Sequence, residues 1–212
     1  MGPVLLVIAK EPIPGRVKTR LTPPLEPEQA AALARAALTD TLAAAVAARG
    51  AARRVIALDG EPGPWLPPGF DVIPQRGDGL DERLAAAFED VGEPAFLVGM
   101  DTPQVTRELL EQGLRAVAEG GTAFGMALDG GYWCIGLQPG DEPVFAGVPM
   151  STDRTGSVQL ARMRAQGLTP AILRPLLDVD TIDDARAVAQ DAPKTRFAAA
   201  LAEFAVEQGI AA

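Results

Sequence analysis

The chain has 212 residues, 48% of them apolar, a formal net charge of −9, one cysteine and no histidine. Without histidine, Ser/His/Asp and Cys/His catalysis are excluded together with the commonest zinc ligand, and the single cysteine, Cys134, rules out an internal disulfide and fits a reducing compartment. The length suits one α/β domain over residues 1–212 with a full core, and an acidic chain repels phosphate backbones, so nucleic acid is not an expected partner.

Residues 4–8 form a continuous apolar, β-branched run, the pattern of a strand covered on both faces. No basic segment precedes it and a charged loop follows at once, so it reads as a buried strand rather than a signal peptide. No stretch reads as long and apolar enough to span a membrane, and the expectation is a soluble, cytoplasmic protein with no membrane partner. Residues 28–48 follow Pro27, are dense in alanine and leucine, and are closed by Gly50, which predicts a long helix. Strands are expected over 53–59 and 70–75, separated by the Pro/Gly-rich loop GEPGPWLPPG. A helix over 80–91, an apolar strand over 94–101 and a helix over 106–120, with Thr106 as its cap, continue the alternation. Residues 122–137 are two apolar runs joined by Asp129, Gly130 and Gly131, the signature of an antiparallel hairpin. A helix over 155–167, a strand over 170–176 and helices near 182–191 and 194–207 complete the chain. This order implies a three-layer α/β/α sandwich with a mostly parallel mixed sheet. Ligands of such sheets sit outside the carboxyl ends of the strands, which directs attention to the loops after the first and fourth strands and to the hairpin.

The loop after the first strand, AKEPIPGRVKTRL, gathers Lys10, Arg16, Lys18 and Arg20 behind one acid, Glu11. Gly15 would let backbone approach a ligand, and Arg16, Lys18 and Arg20 offer charge-assisted donors to a phosphate chain. The spaced glycines of a P-loop or a dinucleotide fingerprint are missing, and a solvated charged loop is the plain alternative. In VGMDTPQVT, Asp101 emerges just past the fourth strand, where it either holds a divalent ion against phosphate oxygens or caps a turn before Pro103. In LLDVDTIDDA, Asp178 and Asp180 alternate with Val179, so both carboxylates face one way and would complete a metal site with Asp101; Thr181 and Asp184 spell a helix cap instead. Asp129 suits a plain turn, while the glycines beside Tyr132 and Trp133 leave room for a base or sugar ring against backbone and aromatic faces. MSTDRTG puts hydroxyls and Arg154 ahead of a helix, as a cap or an anion contact.

Together IAKEPIPGRVKTRL, GMDTP, DGGYWCIGL, MSTDRTG and DVDTIDDA, in this order over residues 8–185, resemble an uncharacterised bacterial family usually labelled glycosyltransferase, within the nucleotide-diphospho-sugar transferase superfamily of GT-A fold. By the basic first loop and the aspartates after the fourth strand and near the C-terminus, it also resembles the molybdopterin and 2-phospho-L-lactate guanylyltransferases. The resemblance implies that Gly15, Arg16, Lys18 and Arg20 face the nucleotide phosphates, that Asp101, Asp178 and Asp180 surround Mg2+ (or Mn2+), and that Asp129, Gly130 and Gly131 border the second substrate. Lys18, Arg16 and Asp101 are then the expected catalytic groups. The chain departs from the pattern in two motifs: Met100 and Gln104 flank the DTP triplet where relatives carry a second acid, and Leu128 stands where an acid often precedes the hairpin. The implied partners are a nucleoside triphosphate or nucleotide-sugar and a small-molecule acceptor. Nucleotidyl transfer to a small phosphorylated acceptor is the leading expectation, glycosyl transfer the alternative, and nucleotide binding without turnover a third.

Overall fold

The computed structural model describes residues 2–207. Among the described residues the chain forms a seven-stranded mixed sheet and six α-helices. In chain order these are β1 (Val4–Lys10), α1 (Pro27–Ala47), β2 (Arg54–Asp59), β3 (Phe70–Pro74), α2 (Leu80–Val91), β4 (Ala95–Gly99), α3 (Arg107–Ala118), β5 (Ala123–Met126), β6 (Tyr132–Leu137), α4 (Thr155–Ala165), β7 (Ala171–Ile172), α5 (Ile182–Asp191) and α6 (Arg196–Glu207). The sheet order is β3-β2-β1-β4-β6-β5-β7. β1 pairs in parallel with β2 and β4, and β2 with β3, whereas β6 runs antiparallel to both β4 and β5.

The two faces of β1 explain why its sequence shows no alternation. Leu5, Val7 and Ala9 pack with α1 and α3, while Val4 and Leu6 pack with α2 and α4, so both sides are covered and both must be apolar. A third apolar cluster joins the outer face of α1, through Leu33 and Ala37, to Val179, α5 and α6. The C-terminal helices are therefore an extra layer outside α1, added to the expected three.

The structure corrects two sequence expectations. α1, with 21 residues and a mean hydropathy of 1.3 over its most apolar window, is long and apolar enough to cross a membrane by length and composition. Half of that window is buried inside the protein, between the sheet on one side and α6 on the other, because a helix covered on two faces needs apolar residues on both. The strand expected over 170–176 is only two residues long, followed by an isolated bridge from Leu176 to Ala127. Pro175 has no N–H to donate, so the ladder lapses before it and resumes after it.

Candidate functional site

β1 is the point where the sheet order reverses: the chain goes from β1 to β2 and β3 on one side and to β4 on the other. Crossovers leaving in opposite directions open a crevice at the carboxyl ends of β1 and β4. A cleft of about 870 Å³ lies there, lined from the β1 loop by Arg16, Lys18 and Arg20 and from the other side by Asp101, Asp129, Asp178 and Asp180.

The loop is held by its own turns and by one apolar anchor. Ile13 N donates to the Glu11 carbonyl, Arg16 N to that of Ile13, and Val17, 7% exposed, inserts into the core beside α1. Lys18 follows with left-handed backbone, φ 51°, ahead of a short 3-10 turn over Thr19–Leu21. Its ammonium lies 2.6 Å from Asp101 Oδ1 and also donates to the Val179 carbonyl. Val179 N in turn donates to the Asp101 carbonyl at 3.1 Å, and Arg20 Nη1 sits 2.8 Å from Asp180 Oδ2. Three segments distant in sequence, the β1 loop, the turn after β4 and residues 178–180, are thus joined by two ion pairs and a backbone bond, the Arg20–Asp180 pair spanning 160 residues.

Asp178 lies deepest among these acids. Its Oδ1 is buried without a hydrogen-bond partner. Burial, then the charges of Asp101 and Asp129, push its carboxyl up to about 8; Lys18 pulls it down and Asp180 adds a further push. Among the described residues, no three potential ligands are already drawn together as a metal site. The donor set nevertheless fits a hard divalent ion: carboxylate oxygens only, one of them buried and unpartnered, in a pocket where the neighbouring acids raise the proton affinity of Asp178. Asp180 is occupied by Arg20 in this arrangement, and Asp129 acts on Asp178 more strongly than Asp180 does.

Two of the glycines marked in the sequence are placed elsewhere. Gly15 has φ +73° and serves the turn, with open space where a side chain would be, and it does not line the cleft. Gly130, φ +95°, is a packing glycine: a Cβ there would lie 2.0 Å from the Asp153 carbonyl oxygen. Gly131 does line the cleft, and its N–H is held by Asp129 Oδ1 at 2.9 Å, so Asp129 both shapes the turn and faces the acids. Trp133 offers no ring face to a ligand, being 2% exposed, edge-on to Phe96 and bonded through its indole N–H to the Arg174 carbonyl. The two residues that flank the DTP triplet have structural uses. Met100 Sδ accepts from Lys10 N at 3.2 Å, and Gln104 Nε2 donates to the Leu177 carbonyl at 2.7 Å, tethering the segment that carries Asp178.

The β3 side of the cleft went unread in the sequence. Gln75, directly after β3, donates to the carbonyls of Ala9 and Ala57, and Arg83 of α2 pairs with Asp59 at 2.9 Å. Both line the cleft with Lys10 and Asp78. The signal available was position: Gln75 follows a parallel strand at the same edge as Asp101. Ser151, Thr152 and Asp153 close the opposite end, where Ser151 has φ 59°.

The profile of a family described as an uncharacterized protein conserved in bacteria, DUF2064, matches residues 30–152. No curated protein matches the chain. A solved protein from Desulfovibrio desulfuricans G20, described as a candidate nucleotide-diphospho-sugar transferase, superposes with a TM-score of 0.84 at 27% identity, covering 98% of this chain and 97% of that one. CMP:2-keto-3-deoxy-manno-octonic acid synthetase in complex with CTP superposes at a TM-score of 0.55 and 13% identity, over 92% of this chain and 100% of that one. Rv0371c of Mycobacterium tuberculosis H37Rv in complex with manganese gives 0.54 at 20% identity, over 90% and 98%. The fold is that of the nucleotide-diphospho-sugar transferases.

Proposed function

The chain belongs to the bacterial family DUF2064, and from that footing we propose that it is a metal-dependent transferase of nucleotide-activated donors, moving a nucleotidyl group from a nucleoside triphosphate to a small phosphorylated acceptor. The observation that carries the reading is that the cations of the β1 loop and the acids of the far sheet edge share one cleft, with Lys18 in contact with Asp101. The manganese and CTP complexes among the neighbours of like fold agree with it.

In this reading an acceptor phosphate oxygen attacks the α-phosphorus, the bond from that phosphorus to the β-bridging oxygen breaks, and pyrophosphate leaves. Such a step needs positioning and charge more than a titrating base, so a site without histidine suffices. Lys18 and Arg16 neutralise the departing pyrophosphate, and Arg20 guards the rim. Asp101 and Asp178 would hold Mg2+ or Mn2+, with Asp180, now paired to Arg20, as a third ligand. A divalent ion bound there supplies charge stabilisation on the phosphate oxygens. Asp129 and Gly131 border the acceptor end.

The test is pyrophosphate release from each nucleoside triphosphate with Mg2+ and a panel of small phosphorylated acceptors. Absence of pyrophosphate from every combination would defeat the reading. Loss of one charge-assisted contact is worth about 2–3 kcal/mol, so Lys18→Ala is expected to lower kcat/KM about 100-fold. The 27% identical neighbour, described as a sugar-transferase candidate, favours glycosyl transfer as the second reading. Release of nucleoside diphosphate from a nucleotide-sugar, without pyrophosphate from triphosphates, would establish that one. A binding module would show nucleotide affinity weakened by Lys18→Ala and no product in the wild type.

A further inference from the structure

We propose that the Lys18 ammonium is a built-in counter-ion that closes the acidic floor of the cleft to free divalent cations, so that the metal enters together with the phosphates that draw Lys18 away. Only the last clause rests on the nucleotide reading above; the closure stands on geometry.

Two cations of one loop differ sharply in burial: the Lys18 side chain is 8% exposed and that of Arg20 is 69%. An ammonium gives up its hydration at that depth only where charged and polar partners replace it. Lys18 finds them in Asp101 Oδ1 at 2.6 Å and in the Val179 carbonyl, the group that follows Asp178 in the chain. It therefore sits among the oxygens that a hard cation would take, while Asp178 Oδ1 beside it has no partner. Backbone at a non-glycine residue with φ 51° is disfavoured, and Val17 is anchored in the core, so the loop holds Lys18 in this pose against its own preference.

A free divalent ion approaching Asp101 meets a positive charge at short range and must displace it with nothing for Lys18 to bind in exchange. A polyphosphate changes the balance, since it offers Lys18 several anionic oxygens and itself carries the metal. One side chain thus alternates between two anions, the carboxylates of the floor and the phosphates of the ligand. The same exchange sets an order of loading, with metal and phosphates arriving as a unit.

The prediction has opposite signs for two probes. Mn2+ alone, titrated into the full chain without nucleotide and followed by electron paramagnetic resonance, is expected to bind Lys18→Met at least about tenfold more tightly than the wild type, with Lys18→Arg remaining as weak as the wild type. Adding Asp101→Asn to Lys18→Met should abolish the gain. In a separate metal-free titration, inorganic tripolyphosphate should bind Lys18→Met more weakly than the wild type. Equal or weaker Mn2+ binding by folded Lys18→Met overturns the closure, and unchanged tripolyphosphate binding overturns the exchange. Should Lys18→Met not fold, Lys18→Gln carries the same outcomes. Failure to release pyrophosphate from any triphosphate would defeat the transferase reading and leave the Mn2+ result intact, because that titration contains no nucleotide.

Discussion

Asp178 holds a carboxyl group where a carboxylate is costly, and its titration follows. Its ordinary value of 3.8 rises to about 8 in the folded protein, through burial first and the charges of Asp101 and Asp129 next. Between these values the folded chain keeps a proton that the unfolded chain has lost. The contribution to stability is therefore complete below about pH 4 and is lost as the pH rises through about 8. Urea unfolding of the metal-free protein across this window should show stability falling with pH relative to Asp178→Asn, in which the group cannot titrate; parallel profiles for the two proteins would contradict the assignment. The charged residues around Asp178 were legible singly, because Arg16, Lys18, Arg20, Asp101 and Asp180 stand beside strand or helix boundaries that the sequence marks. Which of them touch was not legible, since Lys18 and Asp101 are brought together only by the parallel pairing of β1 with β4.

The elements themselves were the most legible level. Helix α2 runs over Leu80–Val91 as its apolar spacing indicates, and Thr106 caps α3, accepting from Leu109 N at 3.3 Å. Thr106→Ala should cost about 1 kcal/mol and lower Tm by about 2–4 °C in thermal unfolding. Gly113 in the middle of α3 invites the opposite substitution, since alanine favours helix over glycine by about 1 kcal/mol. A Cβ at this position would lie 2.2 Å from Phe96 Cζ, however, so packing overrides propensity. Gly113→Ala is expected to destabilise by about 1–3 kcal/mol in chemical denaturation, and a stabilised variant would show that the contact between α3 and β4 yields readily. The short β7 belongs at this scale too: apolar residues over 170–176 suggested a strand, and the ladder failed at proline for want of a donor.

For the molecule as a whole, the cleft is a joint between distant parts of the chain, bridged by Lys18 to Asp101 and Arg20 to Asp180. A ligand that binds there only in the folded state should stabilise every layer. At 100 times its dissociation constant it adds about 2.7 kcal/mol, or about 5–10 °C in Tm for a chain of this size. Nucleoside triphosphates with Mg2+ are expected to give such a shift in a thermal melt and nucleoside monophosphates a much smaller one; equal shifts would place recognition on the base or sugar rather than the phosphate chain. The α/β class followed from sequence alone, because a strand covered on both faces must be apolar throughout and a surface helix must repeat every three to four residues. So did the absence of histidine chemistry and the clustering of cations after β1. Tertiary structure alone decided that α1 is enclosed by α6, that Gly130 serves packing against Asp153, and that Gln75 and Arg83 share the cleft with Asp178. The reason is physical: periodicity and charge are properties of neighbours along the chain, whereas burial, electrostatic coupling and contact depend on which segments the sheet places side by side.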